Sequence, residues 1–231
     1  MQDFDFQQQR RAFLFGITAS VITLSLPGIA QAKGLGLGSI LGRASDSALD
    51  KLAQPNAFYD DPDIRIGLPL IGGVGNGGAL SSLLKAGKKT KLLDGLTRKL
   101  NDAAGVAAGE AKPIFRTAID DLSLTDVPSI ISKNDGATRY LQESAGDELH
   151  SKLRPLIDSA LGDLGAYKQL DKLNSKYSFL GLAGLDRNGL GKSVTDQGLD
   201  GIFKYIGSEE GKLRANPLGK AGGLLKGVLG N

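Results

Sequence analysis

Few side chains in this sequence could carry chemistry, and each sits in a pattern that can be held against the geometry its reaction requires. Gly73-Val-Gly75-Asn-Gly-Gly78 has the glycine spacing of a dinucleotide-binding turn, follows an apolar run, and has Asp94 about twenty residues on. Such a turn works because one strand feeds it and a second parallel strand completes the crevice for the cofactor. Pro69 interrupts the single strand-like run, 64–71, and only helical patterning follows, so a flexible loop is expected. Gly189-Leu-Gly191-Lys192-Ser193 resembles the end of a phosphate-binding loop, but Asp186 stands where that loop needs its first glycine. Asp186-Arg-Asn188-Gly-Leu190 imitates the start of a calcium loop. Leu190 then occupies a ligand position, and Gln197 replaces the bidentate glutamate. The acidic cluster Asp60-Asp61-Pro-Asp63 is expected to be a solvated turn.

His150 is the only histidine, and cysteine is absent. A zinc site of the usual kind needs three or four ligands drawn from those types. As a general base, His150 would need a nucleophile and an orienting acid within hydrogen-bond reach. Helical spacing puts Asp147 and Arg154 beside it and Leu153 and Ile157 toward the core, which predicts a half-buried structural histidine. No Gly-x-Ser-x-Gly turn is present. Asp120-Asp121 falls at a helix end, where solvation accounts for it. No catalytic, cofactor-binding or metal-binding residue is therefore expected. The polar side chains left as candidate ligand contacts are Lys112, Arg139, Tyr140, Arg154, Thr195 and Asp200.

The clearest functional signal lies at the start. A polar segment carrying Asp3 and Asp5 ends in Arg10-Arg11; an uncharged, mildly apolar stretch, 12–26, follows; Pro27 and Gly28 break it; and Ala30-Gln-Ala32 gives the small-x-small pattern of signal peptidase. Arg10-Arg11-Ala-Phe13-Leu14 resembles the twin-arginine export consensus. Fifteen apolar residues span only about 22 Å of helix, short of a hydrocarbon core near 30 Å, which argues against a membrane anchor. The expectation is a signal peptide over 1–32, handled by the twin-arginine translocase and signal peptidase, and a periplasmic domain over 33–231.

That leader holds as many basic as acidic residues, so the net charge of +3 belongs to the rest of the chain. This is near balance. The densest basic run, Lys85-Ala-Gly-Lys88-Lys89-Thr-Lys91, lacks the aromatic interleaving of a nucleic-acid footprint, and no nucleic-acid partner is expected. The absence of cysteine excludes disulfides and thiol catalysis. The 33 glycines predict interrupted helices, since each costs about 1 kcal/mol against alanine in an exposed helix.

Apolar residues recur at helical spacing almost throughout. Leu37, Leu41, Ala44, Ala48 and Leu52 share one face of a first helix, which Pro55 ends, and a loop rich in Pro, Asp and Gly is expected over 54–78. Leu80, Leu83 and Leu84 begin a helix broken at Gly87, and Leu93, Leu96 and Leu100 continue it. Ile114, Phe115, Ala118, Ile119 and Leu122 mark another, with Pro113 in its first turn, and Ser123 or Thr125 is placed to cap a short helix through Ile131. The strongest stripe is Leu149, Leu153, Leu156, Ile157, Ala160, Leu161 and Leu164, bent at Pro155; Tyr167, Leu170 and Leu173 follow. Thr195 is expected to cap a helix burying Leu199, Ile202, Phe203 and Ile206, and Ser208-Glu209-Glu210 to open a last turn ended by Asn216-Pro217. The fold class is all-α, a single compact domain of seven to nine helices after the cleaved leader. The tail, 218–230, carries an apolar stripe expected to dock on the domain's own core, with weak contact to a membrane surface or a partner as the second reading.

Several blocks carry a resemblance in order. They are Gln54-Pro-Asn-Ala-Phe58, Lys112-Pro-Ile-Phe-Arg-Thr-Ala-Ile119, Asp135-Gly-Ala-Thr-Arg-Tyr140, Leu153-Arg-Pro-Leu-Ile-Asp-Ser-Ala-Leu161, Val194-Thr-Asp-Gln-Gly-Leu-Asp-Gly-Ile-Phe203 and Glu209-Glu-Gly-Lys-Leu-Arg-Ala-Asn-Pro217. Together they resemble an exported bacterial family called domain of unknown function 4197. The resemblance implies an α-helical exported domain and brings no activity, ligand or catalytic residue. The sequence departs from the family pattern at 72–78 and at Gly198, where alanine is usual. The function expected is a non-enzymatic module binding a ligand or another envelope protein; the alternative is a metal-independent hydrolase using carboxylates or a hydroxyl. A deep pocket lined by several of the six candidates would favour the hydrolase, and a shallow apolar groove the module.

Overall fold

A computed structural model describes residues 28–69, 90–123, 133–176 and 185–215, with 28–35 and 90–92 described as backbone only. The helical stripes of the sequence become seven helices among the described residues: α1 (Gly28–Leu52), α2 (Ala57–Asp60), α3 (Thr90–Glu110), α4 (Lys112–Asp120), α5 (Gly136–Asp163), α6 (Ala166–Lys176) and α7 (Arg187–Ala215). No strand occurs among these residues, and none of their helices is long and apolar enough to cross a membrane. The glycine-rich stretch 72–78, the expected helix from Leu80 to its break at Gly87, the short helix through Ile131 and the tail lie outside the described residues. So do Arg10, Arg11, Phe13 and Leu14. The described part of α1 begins at Gly28, so the cleavage point expected after Ala32 falls within it.

The buried faces are those the periodicity predicts. Leu41, Ala44, Ala48 and Leu52 of α1, Leu96 and Leu100 of α3, Phe115 of α4, Leu149 and Leu161 of α5 and Leu170 of α6 are all buried. Each fully buried leucine contributes about 1.5–3 kcal/mol before the entropy of ordering it is counted. α7 packs most extensively on α5 and α1, α3 lies against α5, and α4 packs on α1. Phe115 meets Phe203 edge-on with ring centres 6.0 Å apart. Pro155 removes one backbone donor without ending α5.

Three expectations are corrected. Thr195 is not a cap: α7 already begins at Arg187, where Asp186 Oδ1 accepts the Gly189 N–H at 2.7 Å. Thr195 is buried inside the helix, and its hydroxyl donates to the Gly191 carbonyl at 2.8 Å, which gives a mid-helix threonine its partner. Ser208-Glu209-Glu210 opens nothing either, because α7 runs unbroken through it. Several of the glycines that argued for interruption, Gly105, Gly191, Gly201 and Gly207 among them, sit where neighbours approach, whereas Gly146 and Gly162 face open space. A Cβ at Gly198 would meet Ala104 and Ile66 at 3.8 Å, ordinary contact that suits either glycine or alanine.

The third correction concerns the loop over 54–78. Its described part, to residue 69, contains α2 and buries Phe58, Ile64 and Ile66 in the core. The described part of the strand-like run, 64–69, makes no strand pairing, and side-chain amides take the place of a neighbouring strand. Asn101 Oδ1 accepts the Ile66 N–H at 2.8 Å, and its Nδ2 donates to the Ile66 carbonyl at 2.9 Å. One residue on, Gln197 does the same for Gly67, accepting at 2.9 Å and donating at 3.1 Å. The Tyr205 hydroxyl donates to Asp61 at 2.7 Å and ties the loop to α7.

Candidate functional site

The site lies where α7 runs antiparallel to α5, a register set at one end by the contact of Glu210 with Ala137 and at the other by that of Asn188 with Arg154. Asp135 makes no side-chain cap bond at the start of α5. Glu210, fully buried on α7, supplies the cap instead. It accepts the N–H groups of Ala137 at 3.0 Å and Thr138 at 2.8 Å, and the Thr138 hydroxyl at 2.5 Å. Arg214 closes the cluster, 2.5 Å from Glu210 and donating to the Lys133 carbonyl at 3.0 Å. The positive end of α5 and one guanidinium thus compensate a buried carboxylate. Glu209 faces α1, between Lys51 and Lys212 at 2.7 Å each and the Ser47 hydroxyl at 2.9 Å. Burial pushes its carboxyl up, but those three donors outweigh burial and bring it down to about 2. Both glutamates continue the inward stripe of Ile202 and Ile206, and that spacing by itself marks them as core positions.

Over this frame lies a largely open groove of about 920 Å³. Lys133, Asp135, Thr138, Arg139 and Gln142 form its α5 side, and Asp200, Phe203, Lys204 and Ser208 its α7 side. Phe203 and Thr138 are buried beneath it. Asp200 is exposed, yet partial desolvation by the groove walls, and then the charge of Asp196, raise its carboxyl above the ordinary aspartate value. The cavity is neither deep nor simply apolar.

Of the six candidate contacts, the groove brings together Arg139 and Asp200. The other four are employed elsewhere. Lys112 pairs with Asp50 of α1 at 2.5 Å, and Tyr140 donates to the Ser123 carbonyl at 2.8 Å. Arg154 binds Asp158 at 2.8 Å and Asn188, and Thr195 is buried as described. His150 is half-buried, as expected, but its partner comes from α7. Nε2 lies 2.9 Å from Asp196 Oδ1, close enough for an ion pair though not aligned as a hydrogen bond, and Lys192 reaches the same carboxylate at 2.7 Å. Among the described residues no three His, Asp or Glu side chains converge as metal ligands.

Residues 30–230 match the family described as protein of unknown function, DUF4197. The chain belongs to that family. Neither a curated protein nor a solved structure matches it. In this DUF4197 chain, the glycine that suggested a phosphate loop has a packing role. A Cβ at Gly191 would stand 2.3 Å from Asp158 Oδ1 and 2.7 Å from both Arg154 and the Tyr167 hydroxyl. Gly191 lets α7 approach that cluster, in which Tyr167 donates to Asp158. Burial first, and then this bond, push the Tyr167 phenol well above its usual value, so it is a fixed donor and not a base.

Proposed function

We propose that this DUF4197 member is an exported, non-catalytic module of the cell envelope, whose ligand lies in the α5–α7 groove. The observation that carries the binding role is the contrast between the two layers of that seam. Glu209 and Glu210 are locked below by helix ends and cations, whereas the groove above presents charged and amide side chains on a floor held by Phe203 and Thr138. Its size falls in the range of small-ligand sites, about 300–1,000 Å³. The leader supports the location.

Replacing Arg10 and Arg11 together by lysine is expected to leave uncut precursor in the cytoplasm, read by fractionation and immunoblot. Normal processing of that double variant contradicts the twin-arginine route. The hydrolase alternative rests on Asp200, whose raised proton affinity is a property of a general acid. Hydrolysis that disappears in Asp200→Asn would replace binding by catalysis.

A further inference from the structure

Five charged side chains line the groove. Arg139 is held by Asp135 at 2.9 Å, and Lys204 by Asp63 at 3.2 Å. Lys133 and Asp200, the remaining two, have no ion-pair partner among the described residues, and they stand at opposite ends. Asn134, next to Lys133, packs against Gly211 of α7, and α7 rises about 16 Å between there and Asp200. Between them the amides of Asn134 and Gln142 and the hydroxyl of Ser208 line the groove. None of these three side chains has a hydrogen-bond partner among the described residues.

From this order of groups we infer that the groove takes a short peptide by its two free termini, the carboxylate at Lys133 and the ammonium at Asp200. This rests on the groove being the ligand seat. An extended chain rises about 3.4 Å per residue, so four residues cover most of that distance and present amides to Asn134, Gln142 and Ser208. A bound ammonium also relieves the unpartnered, partly desolvated carboxylate of Asp200, where an anionic ligand would be repelled.

The test is isothermal titration calorimetry of the full mature protein with tetra-alanine, free, N-acetylated or C-amidated. The wild type is compared with Lys133→Gln and Asp200→Asn, both surface changes whose folding is checked by thermal melting. Free tetra-alanine is expected to bind, and blocking either end to weaken it about fivefold, the ceiling for exposed charge pairs. N-acetylation should then cost nothing further in Asp200→Asn, and C-amidation nothing further in Lys133→Gln. Equal binding of doubly blocked peptide, or end effects that persist in both variants, overturns the inference. If no form of tetra-alanine binds but a ligand carried from the periplasm is lost in Asp200→Asn, the peptide assignment fails and the groove reading stands.

Discussion

Glu210→Ala is expected to destabilise the domain by about 3–5 kcal/mol, the cost of breaking a buried ion pair by removing one partner. In a domain of this size that lowers the melting temperature by about 10 °C. The substitution strips the cap from α5, leaving the Ala137 and Thr138 N–H groups without their acceptor, and removes the carboxylate facing Arg214. Glu210→Gln keeps one acceptor oxygen but no charge, so its melting temperature should fall between wild type and alanine. Calorimetry or circular dichroism melts measure both. Wild-type melting of Glu210→Ala would mean that α5 does not depend on α7 for its N-terminus.

Asn101→Leu is expected to cost about 2–6 kcal/mol, although leucine shares asparagine's branched four-atom outline and suits a core. The buried Ile66 N–H and carbonyl lose the amide that satisfies both, at about 1–3 kcal/mol for each group left bare. Gln197→Leu, acting on exposed Gly67, should cost under about 1 kcal/mol because water can take its place. Hydrogen exchange at the Ile66 amide gives a local readout. It should be protected in the wild type and exchange faster in Asn101→Leu, and unaltered protection would show that the loop is held by its apolar side chains alone.

The same two residues mark where the sequence is legible and where it is not. The stripes through Leu149, Leu153 and Ile157, or Leu96 and Leu100, announce their helices because burial of a face imposes a period of 3.6. Helix boundaries in α7 are not legible in that way. Its glycines count against a continuous helix on propensity, yet Gly191, Gly198 and Gly201 are buried against neighbours, and tertiary packing overrides the local cost. Asn101 and Gln197 look like ordinary polar helix residues, and nothing local reveals that they substitute for a strand. Arg139 and Asp200 share the groove, whereas Lys112, Tyr140, Arg154 and Thr195 do not, since the antiparallel register of α5 and α7 decides which side chains meet. That register depends on Glu210, which composition alone presents as a surface acid.

The groove claim is tested most directly by native mass spectrometry of protein purified gently from periplasm. The wild type is expected to carry an adduct of constant mass, and Lys133→Gln and Asp200→Asn to carry less of it, consistent with about fivefold weaker binding, while melting at the wild-type temperature. A wild type without any adduct, or an adduct that both variants retain undiminished, contradicts the assignment of the α5–α7 groove as the ligand seat.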